Sequence, residues 1–292
     1  MHIRELYERS EPTFSFEFFP PKTPEDETKL FEETIPHLQG LGPSFFSVTY
    51  GAGGSTREAT LRIVSAIRNT FNIESMAHLT CVGSTKDQIN DVLDEAKSLG
   101  IENVLALRGD PPKGEAEFVP TEGGFTYSLD LIKFIKARGD FGIGAACYPE
   151  GHQECPEGKI KDWDNAVAKV EAGADFLITQ LFYDWNDFVE MDDYLRNKKG
   201  LTVPIIPGVL PFLKTSQIKR FTSLCGASIP KPMLKKLEEY GDDDEAVRQY
   251  GVEICTDICQ KALEYGVPGI HFYCLNRVPS AEEIVSNLKS VA

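Results

Sequence analysis

Two carboxylates at the ends of short apolar runs are the first residues here with the means to do chemistry. Glu17 lies in Phe14-Ser15-Phe16-Glu17-Phe18-Phe19-Pro20-Pro21, and Asp110 in Leu107-Arg108-Gly109-Asp110-Pro111-Pro112. A carboxyl set among phenylalanines loses hydration, so its pKa is expected to rise until it can donate a proton near neutral pH. The competing reading is a structural glutamate braced by an arginine. Arg108 can grip a pyrophosphate bidentately, or close an internal pair with Asp110. Other polar groups end other apolar runs: Thr49, His78, Tyr148, Gln180 and Tyr273. Thr49-Tyr50-Gly51-Ala52-Gly53-Gly54-Ser55 offers backbone amides to an anion. Its spacing is neither G-x-G-x-x-G nor G-x-x-x-x-G-K-[ST], and a plain tight turn explains the glycines almost as well. His152-Gln153-Glu154-Cys155 resembles the start of a zinc deaminase motif but lacks the P-C-x-x-C partner. His78, His152 and Glu17 show no recognised ligand spacing, so no metal site is assigned. No lysine falls within a strand-like run, which weakens a Schiff-base reading.

These groups matter together only if the fold gathers them. Apolar, β-branched or aromatic runs recur at Phe14–Phe19, Phe45–Tyr50, Met76–Val82, Asn103–Leu107, Phe141–Tyr148, Asp175–Phe182, Val203–Val209 and Gly269–Leu275. Helical spacing fills the intervals: Leu61, Val64 and Ile67 share one face, and Ile89, Val92, Leu93 and Ala96 another, before Gly100. Trp163–Ala172 ends at Gly173. Ser280-Ala281-Glu282-Glu283 reads as a capping box opening the last helix. The acids of Gly241-Asp242-Asp243-Asp244-Glu245 read as a solvated helix start within an extra helical piece between Val209 and Gly269. Eight strand-like runs alternating with helices predict an α/β protein, a (β/α)8 TIM barrel, in which residues at strand C-terminal ends share one mouth. The rival, an open doubly wound sheet, uses fewer strands and a Gly-rich first turn. No Pro/Gly/Ser-rich linker divides residues 1–292, so a single catalytic domain is expected.

The chain has 292 residues, with 30 basic against 45 acidic side chains and a formal charge of -15. That surface repels phosphate backbones and argues against nucleic-acid binding. Seven scattered cysteines, with no C-x-x-C pair, read as reduced thiols; Cys255 and Cys259 are helix-face neighbours. No apolar run approaches the ~20 residues of a membrane span, and the first residues lack an apolar signal core. A cytoplasmic protein without membrane contact is the expectation.

Taken in order, FSFEFFPPK, SVTYGAGGS, HLTC, ALRGDPP, YPEGH, AGADFLITQLFYD, IIPGVLP and HFYCLNR resemble the catalytic barrel of the 5,10-methylenetetrahydrofolate reductase family, from about Phe14 to Arg277. The resemblance implies a barrel holding FAD, tightly but not covalently, with NADH or NADPH as hydride donor and 5-methyltetrahydrofolate as product. It casts Glu17 as general acid and Asp110 as the carboxylate near flavin and pterin. Gln180, Gln217, Phe221, Tyr273 and Arg277 match the folate side, Arg277 facing the glutamate tail. Thr49, Ala52, His78, Arg108, Gly109, Asp110, Ser128, Tyr148, His152, Asp162, Asn165 and Lys169 match flavin-binding positions. Ala168 stands where some relatives carry a basic residue, and Cys155 lies by a small insertion; both departures fall at the adenine end, with FMN the alternative flavin. The family's larger members carry an S-adenosylmethionine-sensing domain after the barrel, and no such regulatory domain is expected here. Relatives commonly form homo-oligomers, and the same is expected of this chain. Three other readings compete: a proline-dehydrogenase-like flavin barrel, a metal-dependent lyase or hydrolase built on Glu17, His78 and Asp110, and a flavin- or folate-binding subunit that needs a partner.

Overall fold

Alternation within the strands decides what faces where. In the computed structural model, which describes residues 1–50, 56–111, 118–139 and 141–291, nine parallel strands form one nearly closed sheet. They are β1 (Thr13–Phe18), β2 (Phe45–Val48), β3 (Glu74–Thr80), β4 (Asn103–Leu107), β5 (Gly142–Cys147), β6 (Phe176–Thr179), β7 (Ile205–Ile206), β8 (Gly208–Val209) and β9 (Gly269–Phe272). Their order is β7-β6-β5-β4-β3-β2-β1-β9-β8. β7 pairs with β6 and β8 with β9, and only Pro207 separates β7 from β8. They are therefore one barrel stave, interrupted where proline has no N–H to give the ladder. The Pro207 carbonyl still accepts from His271 N at 2.9 Å. The predicted (β/α)8 barrel is what forms, with the seventh run split in two.

Side chains alternate across each strand. Phe16, Phe18, Phe46 and Val48 pack outward beneath the helices. The inward set is apolar at the base, where Phe45, Met76, Leu105, Phe176, Ile178 and Ile206 surround Ile3, Leu6 and Tyr7. Those three come from a short 3-10 helix, Ile3–Glu8, that closes the underside. Buried Asn103 pins it, accepting from Ile3 N at 2.8 Å and donating to the Met1 carbonyl at 3.0 Å. Higher in the barrel the inward positions turn polar: Ser15, Glu17, Ser47, His78 and His271.

Helices follow the strands, Arg57–Phe71, Lys86–Ser98 and Lys159–Glu171 where periodicity predicts them, and also Ser128–Arg138 and Trp185–Asp193. Between β8 and β9 lie three: Thr215–Cys225, Lys231–Tyr240 and Asp244–Tyr265. Asp243 caps the last, accepting from Ala246 N at 3.1 Å, so the acidic run is a helix start. Cys255 and Cys259, on that helix, are both buried and free. The expected capping box at Ser280 is not formed. The terminal helix begins at Pro279, which puts Ser280 inside the first turn with its buried hydroxyl unpartnered. A capping box does form, unforeseen, at Thr85 and Gln88.

Candidate active site

Glu17 points into the barrel, away from the phenylalanines that flank it in sequence. Its side chain is 8% exposed, and its Oε2 lies 3.2 Å from His78 Nε2 and 3.4 Å from His271 Nε2. His271 is fully buried, stacked on Phe45, with Ser15 Oγ 2.7 Å from Nδ1 and Ser47 Oγ 3.4 Å from Nε2. Burial alone would raise the Glu17 carboxyl, but the two imidazoles more than offset it and hold it at about 2. This reverses the expected upward shift. In FSFEFF the period of two sends Phe16 and Phe18 to the opposite face, so the glutamate meets imidazoles and hydroxyls instead of aromatic rings. Neither arginine bracing nor isolation describes it.

The turn after β9 braces this corner. Cys274 Sγ donates to the Glu17 carbonyl at 2.9 Å. Leu275 and Asn276 adopt φ of 52° and 58°, unusual for residues with side chains. The strain is held by Asn276, whose amide accepts from Phe19 N and donates to Phe19 O, each at 2.8 Å. Arg277 follows, exposed at the rim. Tyr273 donates to the Thr179 carbonyl at 2.5 Å; burial, with Glu17 and Tyr148 nearby, pushes its phenol well up, so it remains a donor.

Across the mouth a second cluster gathers Arg108, Tyr148, His152, Asp162 and Lys169. Gly109 makes the turn after β4 possible: φ is +87°, and a Cβ there would stand 2.6 Å from Val82 Cγ1. Arg108 does not pair with Asp110, as an internal brace would require. It forms a bidentate pair with Glu154, Nη1 to Oε2 at 2.5 Å and Nη2 to Oε1 at 3.0 Å. Asp110 is exposed, close enough to Arg108 and Tyr148 for its charge to act on both. His152 meets Tyr148 edge-on at 4.6 Å. Burial and the Arg108 charge lower its pKa, while its Nδ1 accepts from Glu154 N at 3.0 Å. Lys169 donates to the Ala146 carbonyl at 2.8 Å; burial lowers its pKa, against the pull of Asp162. Burial raises the Asp162 carboxyl, against Lys169 and His152.

Thr49 follows β2, its N donating to the Phe18 carbonyl at 2.9 Å and its carbonyl accepting from Thr60 Oγ1 at 2.8 Å. Ser128 opens its helix and Asn165 lies within Lys159–Glu171, both half-buried. Ala52 lies outside the described residues. Gln180 and Tyr148 line a small shared cleft with Cys225 and Gly226. Gln217 and Phe221 sit on the helix Thr215–Cys225; the Gln217 amide oxygen accepts from Leu213 N at 2.7 Å, and Phe221 is half-buried against the core. Sequence reasoning missed His271, Ser15 and Glu154. The signal for His271 was its spacing of two from Tyr273 along one apolar run, which turns both the same way.

The basic side chains Arg108 and Lys169, with the imidazole of His152 beside them, suit an anionic ligand. Arg108, His152 and Lys169 stand on one side of the mouth of a chain whose net charge is -15. Lys169 spends one donor on Ala146, leaving two for phosphate oxygens. Glu17 and its histidines stand on the other side, with Tyr273 between.

The family model described as methylenetetrahydrofolate reductase matches residues 2–289. A maize protein named methylenetetrahydrofolate reductase (NADH) 1 is 44% identical over 285 residues, covering 94% of this chain and 48% of that protein. The 5,10-methylenetetrahydrofolate reductase of Escherichia coli is 36% identical over 274 residues, covering 94% of this chain and 90% of that protein. The chain thus spans about half the length of the plant relatives it matches. Among solved structures, a Clostridium thermocellum protein that binds two copies of 5-methyl-5,6,7,8-tetrahydrofolic acid superposes over the whole chain with TM-score 0.68 at 16% identity, a likeness of fold.

Proposed function

Because the chain belongs to the methylenetetrahydrofolate reductase family, we propose that it reduces 5,10-methylenetetrahydrofolate to 5-methyltetrahydrofolate, with FAD as resident cofactor and a reduced nicotinamide as electron source. The name of the maize relative, a reductase specified for NADH, favours that donor. When bound, the flavin would accept hydride from the nicotinamide and pass it to the folate methylene carbon. Arg108, His152 and Lys169 would hold its phosphates, with Thr49, Ala52, His78, Gly109, Ser128, Tyr148, Asp162 and Asn165 completing the cradle. Gln180, Gln217, Phe221 and Tyr273 would seat the folate, and Arg277, exposed at the rim, would face its anionic tail.

The observation that carries this reading is Glu17 set between two imidazoles at one side of the mouth. Opening the folate's five-membered ring requires a proton at N10. With the carboxyl held low, Glu17 would carry that proton as a relay from solvent, not hold it at rest. Glu17 Oε2 would hand it on, and the chain through His271 to Ser15 would keep the donor oriented. Asp110, an exposed anion across the mouth, would stabilise the iminium cation left on the folate. Nicotinamide and folate would take turns at one flavin face, a ping-pong sequence, in a cytoplasmic homo-oligomer. The test is the visible spectrum of the purified protein. Yellow colour should bleach with NADH and return with methylenetetrahydrofolate; a colourless protein that takes up no added flavin refutes the reading.

A further inference from the structure

We propose that Glu154 competes for Arg108 and so sets how tightly the chain takes a phosphate-bearing flavin, an inference that rests on the flavin reading above. The Arg108 guanidinium is already satisfied: both terminal nitrogens donate to the Glu154 carboxylate at 2.5 and 3.0 Å, Nε leans on the Gly109 carbonyl at 3.4 Å, and Phe118 lies 5.0 Å from its face. The same two nitrogens are the fork that a phosphate would use. Carboxylate and phosphate therefore exclude one another at this edge. The partners are not equally fixed. The Arg108 side chain is 21% exposed and that of Glu154 45%.

The Glu154 backbone is tied down, its N–H on His152 Nδ1 at 3.0 Å and the next residue's N–H on the His152 carbonyl at 2.9 Å. The side chain is thus the movable part. An arriving phosphate displaces it into water while Arg108 stays in place, and a weak monovalent anion gains too little to do so. The cation is held oriented by an internal substitute that a dianion can replace.

The test measures dissociation constants for FAD, FMN and riboflavin by flavin fluorescence at low salt, in the wild type and in Glu154→Gln. Breaking a pair this exposed should tighten FAD and FMN binding about two- to five-fold and leave riboflavin, which carries no phosphate, unchanged. Glu154→Asp keeps the charge but cannot span both nitrogens, and should fall between wild type and Glu154→Gln. Unchanged or weaker FAD binding in Glu154→Gln, or a parallel change for riboflavin, overturns the proposal. If the wild type binds no flavin, the flavin reading fails by itself. Inorganic pyrophosphate then reads the competition by calorimetry: tighter binding by Glu154→Gln sustains it, and equal binding overturns it.

Discussion

Replacing Gly208 with alanine should loosen the barrel where its seventh stave is interrupted, and the cost follows from distances. A Cβ on Gly208 would lie 2.3 Å from the Thr179 carbonyl oxygen, 2.5 Å from Tyr273 Oη and 2.6 Å from Tyr273 Cε2. The tyrosine can swing aside only by abandoning its 2.5 Å hydrogen bond to that carbonyl. The carbonyl belongs to the end of β6 and cannot retreat without pulling on Gly208 N, which donates to Thr179 Oγ1 at 2.9 Å. Overpacking costs about 1–3 kcal/mol, and each lost hydrogen bond about 0.5–1.5 kcal/mol. With one such bond lost, the two give about 1.5–4.5 kcal/mol, or a fall in Tm of roughly 3–15 °C for a chain of this size. Urea and thermal unfolding followed by circular dichroism would measure it. Gly100→Ala is the control: its Cβ meets nothing within 4 Å, and only the φ of +76° opposes it, at about 1–2 kcal/mol. If Gly208→Ala lies within about 1 kcal/mol of wild type, or is more stable than Gly100→Ala, the seam is not packed as described.

Glu17→Gln should slow folate reduction by about 10²–10⁴ while nicotinamide oxidation with an artificial acceptor stays nearly intact; folate turnover at the wild-type rate would remove Glu17 from its role. The Glu17 carboxyl is held at about 2 against 4.5 for an unperturbed glutamate. The unfolded chain then binds the proton first, so the stabilisation is present above about 4.5 and is lost as pH falls towards 2. Acid titrations of stability should show a shallower loss over that window in Glu17→Gln than in wild type, and superimposable curves would contradict the geometry. Asp110→Asn removes a negative charge beside the proposed flavin site and should raise the flavin potential in a spectroelectrochemical titration; an unchanged potential would argue against a close charge.

The barrel was legible because its strands are nearly continuous apolar runs and their polar ends fall at regular intervals. Phe14–Phe19, Asn103–Leu107 and Gly269–Leu275 are examples. The break at Pro207 could have been read from proline's missing donor, yet the apolar run hides it. The Glu17 environment was misjudged for a physical reason: neighbours in sequence lie on opposite faces of a strand, and what surrounds an inward residue comes from other strands. His271 reaches Glu17 across 254 positions, and Glu154 reaches Arg108 across 46. Partnerships of that span leave no trace in local pattern. Ser280 failed for the opposite reason, a good local motif displaced from the cap into the first turn because Pro279 starts the helix.

Ile3, Leu6 and Tyr7 stopper the chamber from beneath. On the proposed reading, a proton passed on by Glu17 would therefore arrive not through the floor but by the same doorway that ligands use. A ligand filling that doorway would hold the next proton back, tying renewal of the acid to the departure of product.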